Sequence, residues 1–317
     1  MVRIVGRDAA VHRAVAAALT ARSAGFVGAS LAAVAWGFAG ILAALTTCSG
    51  ITASFWRLLI GACFYSVALA VKRRRLSAAV LRACVPGGLF LAGDVVFFFS
   101  AIKLTSIAIV SVIGAMQPVV VSLAARRLFA ERRTGWDLTW MAVAIGGVVL
   151  TVVGTSSARP DRLSGCLLAA VSMLCWSAYW IVSKRARASY GSLEYTAGVT
   201  FVALIVLVPV TLISDHGVGH LTAGDWLPLL LIAVIPGGGH LVMNWVHRYM
   251  AASLSSIIGN LNTLVAAVAA VPILGQSLTP VQGLGVVVAL GGVIALAILR
   301  RGEGTFPVVS PTGAGDP

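Results

Sequence analysis

Ten runs of roughly twenty predominantly apolar residues constrain this 317-residue chain more than any other feature. They fall at about 25–45, 52–71, 84–102, 106–127, 138–155, 164–183, 195–213, 226–246, 251–270 and 280–299. A helix needs about 20 residues to cross bilayer hydrocarbon. In that medium only helices and closed barrels satisfy every backbone polar group. The runs predict an all-α membrane protein of ten transmembrane helices. Charged residues make up only 10% of the chain, against about 25% in soluble domains.

The net charge of +13 does not mark a nucleic-acid binder, because the basic residues sit in short clusters between apolar runs. Nineteen of the 23 Lys and Arg residues fall at one set of run ends. Three (Lys103, Arg159 and Arg162) fall at the other set, and Arg57 lies within a run. By the positive-inside rule this predicts a multi-pass protein with both termini cytoplasmic. Residues 1–24, with Arg3, Arg7, Arg13 and Arg22, read as a cytoplasmic basic segment on the membrane surface. Residues 300–317, rich in Gly and Pro, read as a disordered cytoplasmic tail. Twenty Arg against three Lys suggests a GC-rich genome, and hence a bacterial cytoplasmic (inner) membrane.

The chain also repeats itself. Ser111–Thr134 aligns without a gap with Ser256–Thr279, at an offset of 145 residues. Arg126, Arg127, Arg132 and Arg133 of the first copy face Val271, Pro272, Ser277 and Leu278 of the second. Five runs separate equivalent points, and five is odd, so the second copy should enter the membrane upside down. Its counterpart loop then faces outward, where arginine is disfavoured. The match continues through Ala144/Ala289, Gly146/Gly291, Gly147/Gly292 and Val148/Val293. The expectation is two inverted five-helix repeats, 25–155 and 164–299, around a central cavity, an architecture of secondary transporters.

Several stretches resemble a known family: "WGFAGI" from Trp36, Arg57 in the second run, "AIKLTSIAIVSVIGAMQPVVVSLAARRLFAERRT" from Ala101, and the Gly146-Gly147 pair. They are similar to the EamA domain of the drug/metabolite transporter superfamily. The resemblance covers roughly residues 25–300. The second copy departs from it, with Thr263 in place of Pro118 and Gln276 in place of Glu131. The resemblance implies transport of small metabolites, commonly export, by alternating access through a central cavity.

Polar groups inside apolar runs are the candidate site. Asp94 is the one acid near the middle of a run, and an ionisable group at that depth must face a cavity or a partner. It reads either as a cation or proton site or as a static ion pair with Arg57. Arg57, beside Trp56, can instead snorkel to the interface. His240, Asn244 and His247 share a helical face, with the first two expected at the cavity and His247 at the interface. Just before them, Pro236, Gly237 and Gly238 are expected to break the helix and, with Pro118, to act as hinges. Asn260 and Asn262 read as substrate contacts or as interhelical glue. Trp36, Trp176, Tyr179 and Trp180 offer an aromatic wall suited to aromatic, amphipathic or cationic ligands. Gly61, Gly93, Gly114, Gly146 and Gly259 are expected to admit close helix packing.

Other chemistries find little support. His216 and His220 have a metal-like spacing but no third ligand nearby, and no metal or other cofactor is expected. The five cysteines form no C-x-x-C. No G-x-x-x-x-G-K-[ST] is present, so no phosphate-binding loop is encoded. Transport would then be facilitated, or coupled to a proton or a counter-substrate. The leading expectation is an exporter of small metabolites or drug-like compounds, amino acids and related amphipathic molecules among them. Its partners would be that substrate and the lipid bilayer, with the chain a monomer or homodimer. The alternatives are an importer, a non-transporting subunit or receptor, and a membrane-embedded enzyme, for which the runs supply too few catalytic groups.

Overall fold

The computed structural model describes residues 2–105, 107–130, 134–152, 163–214, 221–274 and 279–299. Over these residues it is helical throughout, without a strand. The helices are α1 (Val2–Ala44), α2 (Gly50–Val71), α3 (Ala78–Leu104), α4 (Ile107–Gly114), α5 (Gln117–Leu128) and α6 (Gly135–Val152). They are followed by α7 (Leu163–Ala186), α8 (Ser192–Ser214), α9 (Trp226–Val246), α10 (Ala252–Gly259), α11 (Leu261–Leu274) and α12 (Pro280–Leu299). A single 3₁₀ turn, Ala223–Asp225, leads into α9. Among the described residues, seven helical stretches are long and apolar enough to cross a membrane, one of them Ile109–Leu128. Gly135–Leu150 and Pro280–Leu296 are shorter apolar helices. The basic residues 2–22 belong to one uninterrupted helix with the first apolar run. His216, His220 and the 300–317 tail lie outside the described residues.

Side-chain caps start several helices where the sequence changes character. Ser49 Oγ accepts from Thr52 N at 3.1 Å, and Ser77 Oγ accepts from Val80 N at 3.3 Å; each satisfies a donor that the first turn leaves open. Reciprocal caps open α6 and α12. Asp137 Oδ2 accepts from Thr134 N at 2.8 Å while Thr134 Oγ1 accepts from Asp137 N at 3.3 Å. The same pattern recurs 145 residues later, with Gln282 Oε1 accepting from Thr279 N at 2.8 Å and Thr279 Oγ1 from Gln282 N at 3.3 Å.

Two runs expected as single helices are each divided. α4 ends at Gly114 and α5 begins at Gln117, with Pro118 in its first turn, where a missing N–H costs nothing. Across this break Val119 N donates to Met116 O, so the helix register skips Ala115 O. Asn260 Nδ2 supplies the missing donor at 3.0 Å. Asn260 is also the residue that separates α10 from α11, so one side chain bridges the two broken spans. No proline stands there: the turn at Asn260 forms with Thr263 in the position equivalent to Pro118.

The expected break at Pro236-Gly237-Gly238 is absent, and α9 runs through all three. Proline in a membrane helix is tolerated when neighbours satisfy the backbone it disturbs. Pro236 itself leaves the Ile232 carbonyl without its usual donor, while the carbonyls at and after it take extra donors: Trp36 Nε1 to Pro236 O at 3.1 Å and Tyr65 Oη to Gly237 O at 2.9 Å. α3 likewise continues through Pro86.

The packing partners come in matched pairs: α1 lies on α9, α3 on α7, and α6 on α12. α6 and α12 touch through equivalent residues. A Cβ on Gly147 would lie 2.3 Å from Ala289 N, and one on Gly292 would lie 2.7 Å from Ala144 N. Residue numbers rise on one helix as they fall on the other, so the two run antiparallel in backbone contact. Gly146 and Gly114 have open space where a side chain would go, contrary to the packing role expected of them.

Two predictions follow from this packing. Gly147→Leu should force α6 from α12 and abolish the monodisperse peak in fluorescence-detected size exclusion, whereas Gly146→Leu should elute as the wild type does. Asn260→Ala strands the Ala115 carbonyl and should cost about 1–2 kcal/mol, read as a lower Tm in detergent; an unchanged Tm would refute the bridging role.

Candidate functional site

A cavity of about 140 Å³ lies between the two halves of the bundle. Its lining runs from Trp36, Trp176 and His240 at mid-helix up to Gly40, Ile102, Val110 and Ala169. Those last residues lie toward the end where α1 and α3 stop and α2 and α7 start. The cavity therefore belongs to that half of the bundle. Beneath it the other half is closed by packed apolar side chains, Val246, Met250, Leu254 and Ile258 among them.

The floor is aromatic. The Trp36 and Trp176 rings meet edge to face at 5.0 Å, and Tyr179 stacks on Trp176 at 5.3 Å. Trp180 lies behind them, fully buried, 5.7 Å from Trp36 and 5.4 Å from Trp176. Its Nε1 donates to Ser255 Oγ at 3.2 Å. Trp180 and Tyr179 thus back the wall rather than line it. Gly259 permits this, since a Cβ there would approach Trp180 to 3.1 Å. Gly37 does the same for α11: a Cβ would lie 2.6 Å from Val265 and 2.9 Å from Asn262 O.

Above this floor two opposite charges face the same space. Arg57 is only 8% exposed, two turns into α2, so it lines the cavity and does not snorkel to the interface. It forms no salt bridge with Asp94, although the two groups are near enough to act on each other electrostatically. One guanidinium nitrogen, Nη2, donates to His240 Nε2 at 2.7 Å, and the Phe99 ring lies 5.8 Å from its centre. Asp94 Oδ1 accepts from Ser172 Oγ at 2.8 Å. Among the described residues the ion pair is Arg74 with Glu194, far from this site. Arginine can only donate, so His240 Nε2 is the acceptor and the ring proton is on Nδ1. That Nδ1 is buried without a hydrogen-bond partner. The rings of Trp36, Trp176 and Tyr179 surround the imidazole at 5.4, 5.3 and 5.7 Å.

Asn260 and Asn262 line the opposite wall with Gln117 and Thr263. Sequence reasoning passed over Gln117, yet a signal existed, because Gln117 stands 145 residues before Asn262. Ser172 carried no such signal: one hydroxyl in an apolar run is not distinguished from its neighbours until the helices pack.

Asn244 and His247 sit elsewhere. Asn244, 1% exposed, donates to Tyr179 Oη at 3.0 Å and Thr196 Oγ1 at 2.9 Å, knitting α7, α8 and α9 below the cavity. His247 is not interfacial but 1% exposed, with its ring 4.9 Å from Trp180. Burial, together with the nearby charges of Lys184 and Arg187, holds its imidazole well below the usual histidine range. Lys184 Nζ donates to Met250 O at 2.6 Å and Arg187 Nε to Asn244 O at 2.6 Å, tying the end of α7 to the end of α9. No group of three or more His, Cys, Asp or Glu able to hold a metal occurs among the described residues.

Comparison with known proteins adds four findings. The EamA-like transporter family matches twice, at residues 23–153 and 163–298. The threonine/homoserine exporter RhtA of Escherichia coli (strain K12) is 28% identical over 221 residues, which cover 67% of this chain and 68% of that protein. The uncharacterized transporter YyaM of Bacillus subtilis (strain 168) is 22% identical over 237 residues, 73% of this chain and 77% of that one. A solved crystal structure superposes with a TM-score of 0.74 over 89% of this chain and 99% of its own; at 18% identity this shows the shared fold. With two matched segments spanning most of its length, the chain belongs to the EamA-like transporter family and is a multi-pass membrane transporter of the drug/metabolite transporter superfamily, not an enzyme.

Proposed function

We propose that this transporter exports small zwitterionic metabolites, of the size and charge pattern of threonine or homoserine, from a bacterial cytoplasm. The observation that carries this reading is that Arg57 and Asp94, opposite charges joined by no salt bridge, face one cavity above an aromatic floor. A ligand with a carboxylate and an ammonium group compensates both charges at once; a singly charged ligand leaves one of them buried and exposed to an apolar surround. The cavity of about 140 Å³ is small beside the roughly 300–1,000 Å³ that drug-sized ligands occupy. That favours a small metabolite over a drug-like compound. The direction of transport is taken from the exporter among the relatives.

Alternating access would proceed between two inverted halves, 25–155 and 164–299, with ten spans counted by taking α4 with α5 and α10 with α11. The twofold family match, the repeated caps at Thr134 and Thr279, and the antiparallel contact of α6 with α12 support this reading. With both termini cytoplasmic, a reading the Lys and Arg distribution supports, the cavity opens outward and the tie between α7 and α9 closes the inner side. The hinges would be the breaks beside Pro118 and at Asn260. Asp94 is the coupling group, exchanging a proton or the substrate ammonium as the halves rock; Asn262, Trp36 and Trp176 bound the substrate's side chain.

The test uses bacteria depleted of their own threonine exporters and loaded with a threonine-containing dipeptide. Expression of the wild type should raise extracellular threonine several-fold over Asp94→Asn and Trp176→Ala at equal membrane levels. Equal release by wild type and Asp94→Asn would reject the zwitterion reading. An untargeted mass-spectrometric comparison of the same media would then reveal any other exported species.

A further inference from the structure

We infer that His240 and Ser172 are charge spacers: each holds one of the two buried charges away from the other and so keeps the cavity available to its ligand. The inference rests on the reading of Arg57 and Asp94 as the binding charges, and it adds the residues that prevent those charges from consuming one another.

The argument starts from an anomaly. A guanidinium and a carboxylate that line one small apolar cavity attract strongly, because little water screens them. Yet they do not meet. Arg57 spends Nη2 on His240 Nε2, and Asp94 spends Oδ1 on Ser172 Oγ. Both partners are neutral, and both sit on helices other than those of the charges they hold: His240 on α9, Ser172 on α7, Arg57 on α2 and Asp94 on α3. Each spacer is itself anchored. His240 is 6% exposed and boxed by three aromatic rings, and Ser172 is 4% exposed. An imidazole accepting from arginine must be neutral, and its remaining proton is left on Nδ1 without a partner. The protein thus tolerates an unpaired buried donor at His240, an arrangement with a cost, in return for placing an acceptor opposite Arg57. A spacer role accounts for that choice, whereas a packing role would be met by any apolar side chain of the same size.

Removing the spacer should let Arg57 swing to Asp94. Without substrate, a carboxyl kept from the guanidinium exchanges a proton in this apolar site and reacts with dicyclohexylcarbodiimide, a hydrophobic reagent that modifies protonated carboxyls, whereas one held by the guanidinium stays ionised and reacts slowly. The experiment measures carbodiimide modification at Asp94 in purified protein by peptide mass spectrometry, with Asp94→Asn as the blank. His240→Phe keeps an aromatic ring but offers no acceptor, and should cut the labelling rate at least fivefold. His240→Gln, whose amide oxygen can accept from Arg57, should retain the wild-type rate to within twofold. Ser172→Ala should fall as His240→Phe does. The double variant His240→Phe/Arg57→Gln should recover, because the collapse needs the guanidinium.

Wild-type labelling in His240→Phe would overturn the proposal. So would an equal loss in His240→Gln, or a double variant that stays slow, since either result points to general disturbance of the site. The labelling requires no substrate. A failure of the threonine measurement with this pattern intact would therefore reject the substrate and leave the spacers standing. The reverse result would reject the spacers alone.

Discussion

Burying opposite charges in an apolar bundle without letting them pair is the constraint around which this site is built. At about 4 Å and an effective dielectric near 20, such a pair gains roughly 4 kcal/mol, against about 1.5–3 kcal/mol for each hydrogen bond to a charged group. Arg57 and Asp94 stay apart because each is held by a neutral group from a third and a fourth helix. The aromatic floor, the position of α9 against α1 and the placement of Ser172 on α7 all serve that separation. Trp36 participates twice, as part of the floor and as the donor to Pro236 O that ties α1 to α9 at its proline.

The same accounting governs the backbone. A carbonyl buried without a donor costs about 1–3 kcal/mol, so a broken helix needs a specific partner. At the α4–α5 break that partner is Asn260, the equivalent residue of the other half. The tie makes the two breaks interdependent: moving one removes the other's hydrogen bond. Continuous α9 shows the opposite solution, in which proline stays inside a helix and side chains from α1 and α2 donate to the carbonyls at and after it.

Much of the architecture was legible because the bilayer restricts what an apolar run can be. Run lengths announced helices, and the family match reaches across both halves that the 145-residue offset had suggested. The cap residues at Thr134 and Thr279 and the Gly147/Gly292 pair were visible as repeats before their contacts were known. Less legible were the continuity of helices and the depth of side chains. The Pro236-Gly237-Gly238 stretch suggested a break because the donors from Trp36 and Tyr65, 200 and 172 residues away, are invisible to local reading. Arg57 and His247 looked interfacial by distance along their helices; lateral packing buries both. Gly146 looked like a packing glycine, while its neighbour Gly147 is the one in contact.

What the sequence determined by itself is whatever depends on one chain segment and its solvent: helix formation, the number of apolar runs, the sign of each loop, the internal repeat and the presence of Asp94 near the middle of a run. These follow from hydropathy and charge, which are sums over neighbouring residues. What only the tertiary structure decided is which groups meet. That His240 rather than Asp94 takes the arginine, that Ser172 takes the aspartate, and that Asn260 completes a helix 145 residues away are outcomes of lateral packing between helices. No local rule contains them, because a hydrogen bond of about 3 Å is fixed by where two helices cross and how each is turned about its axis.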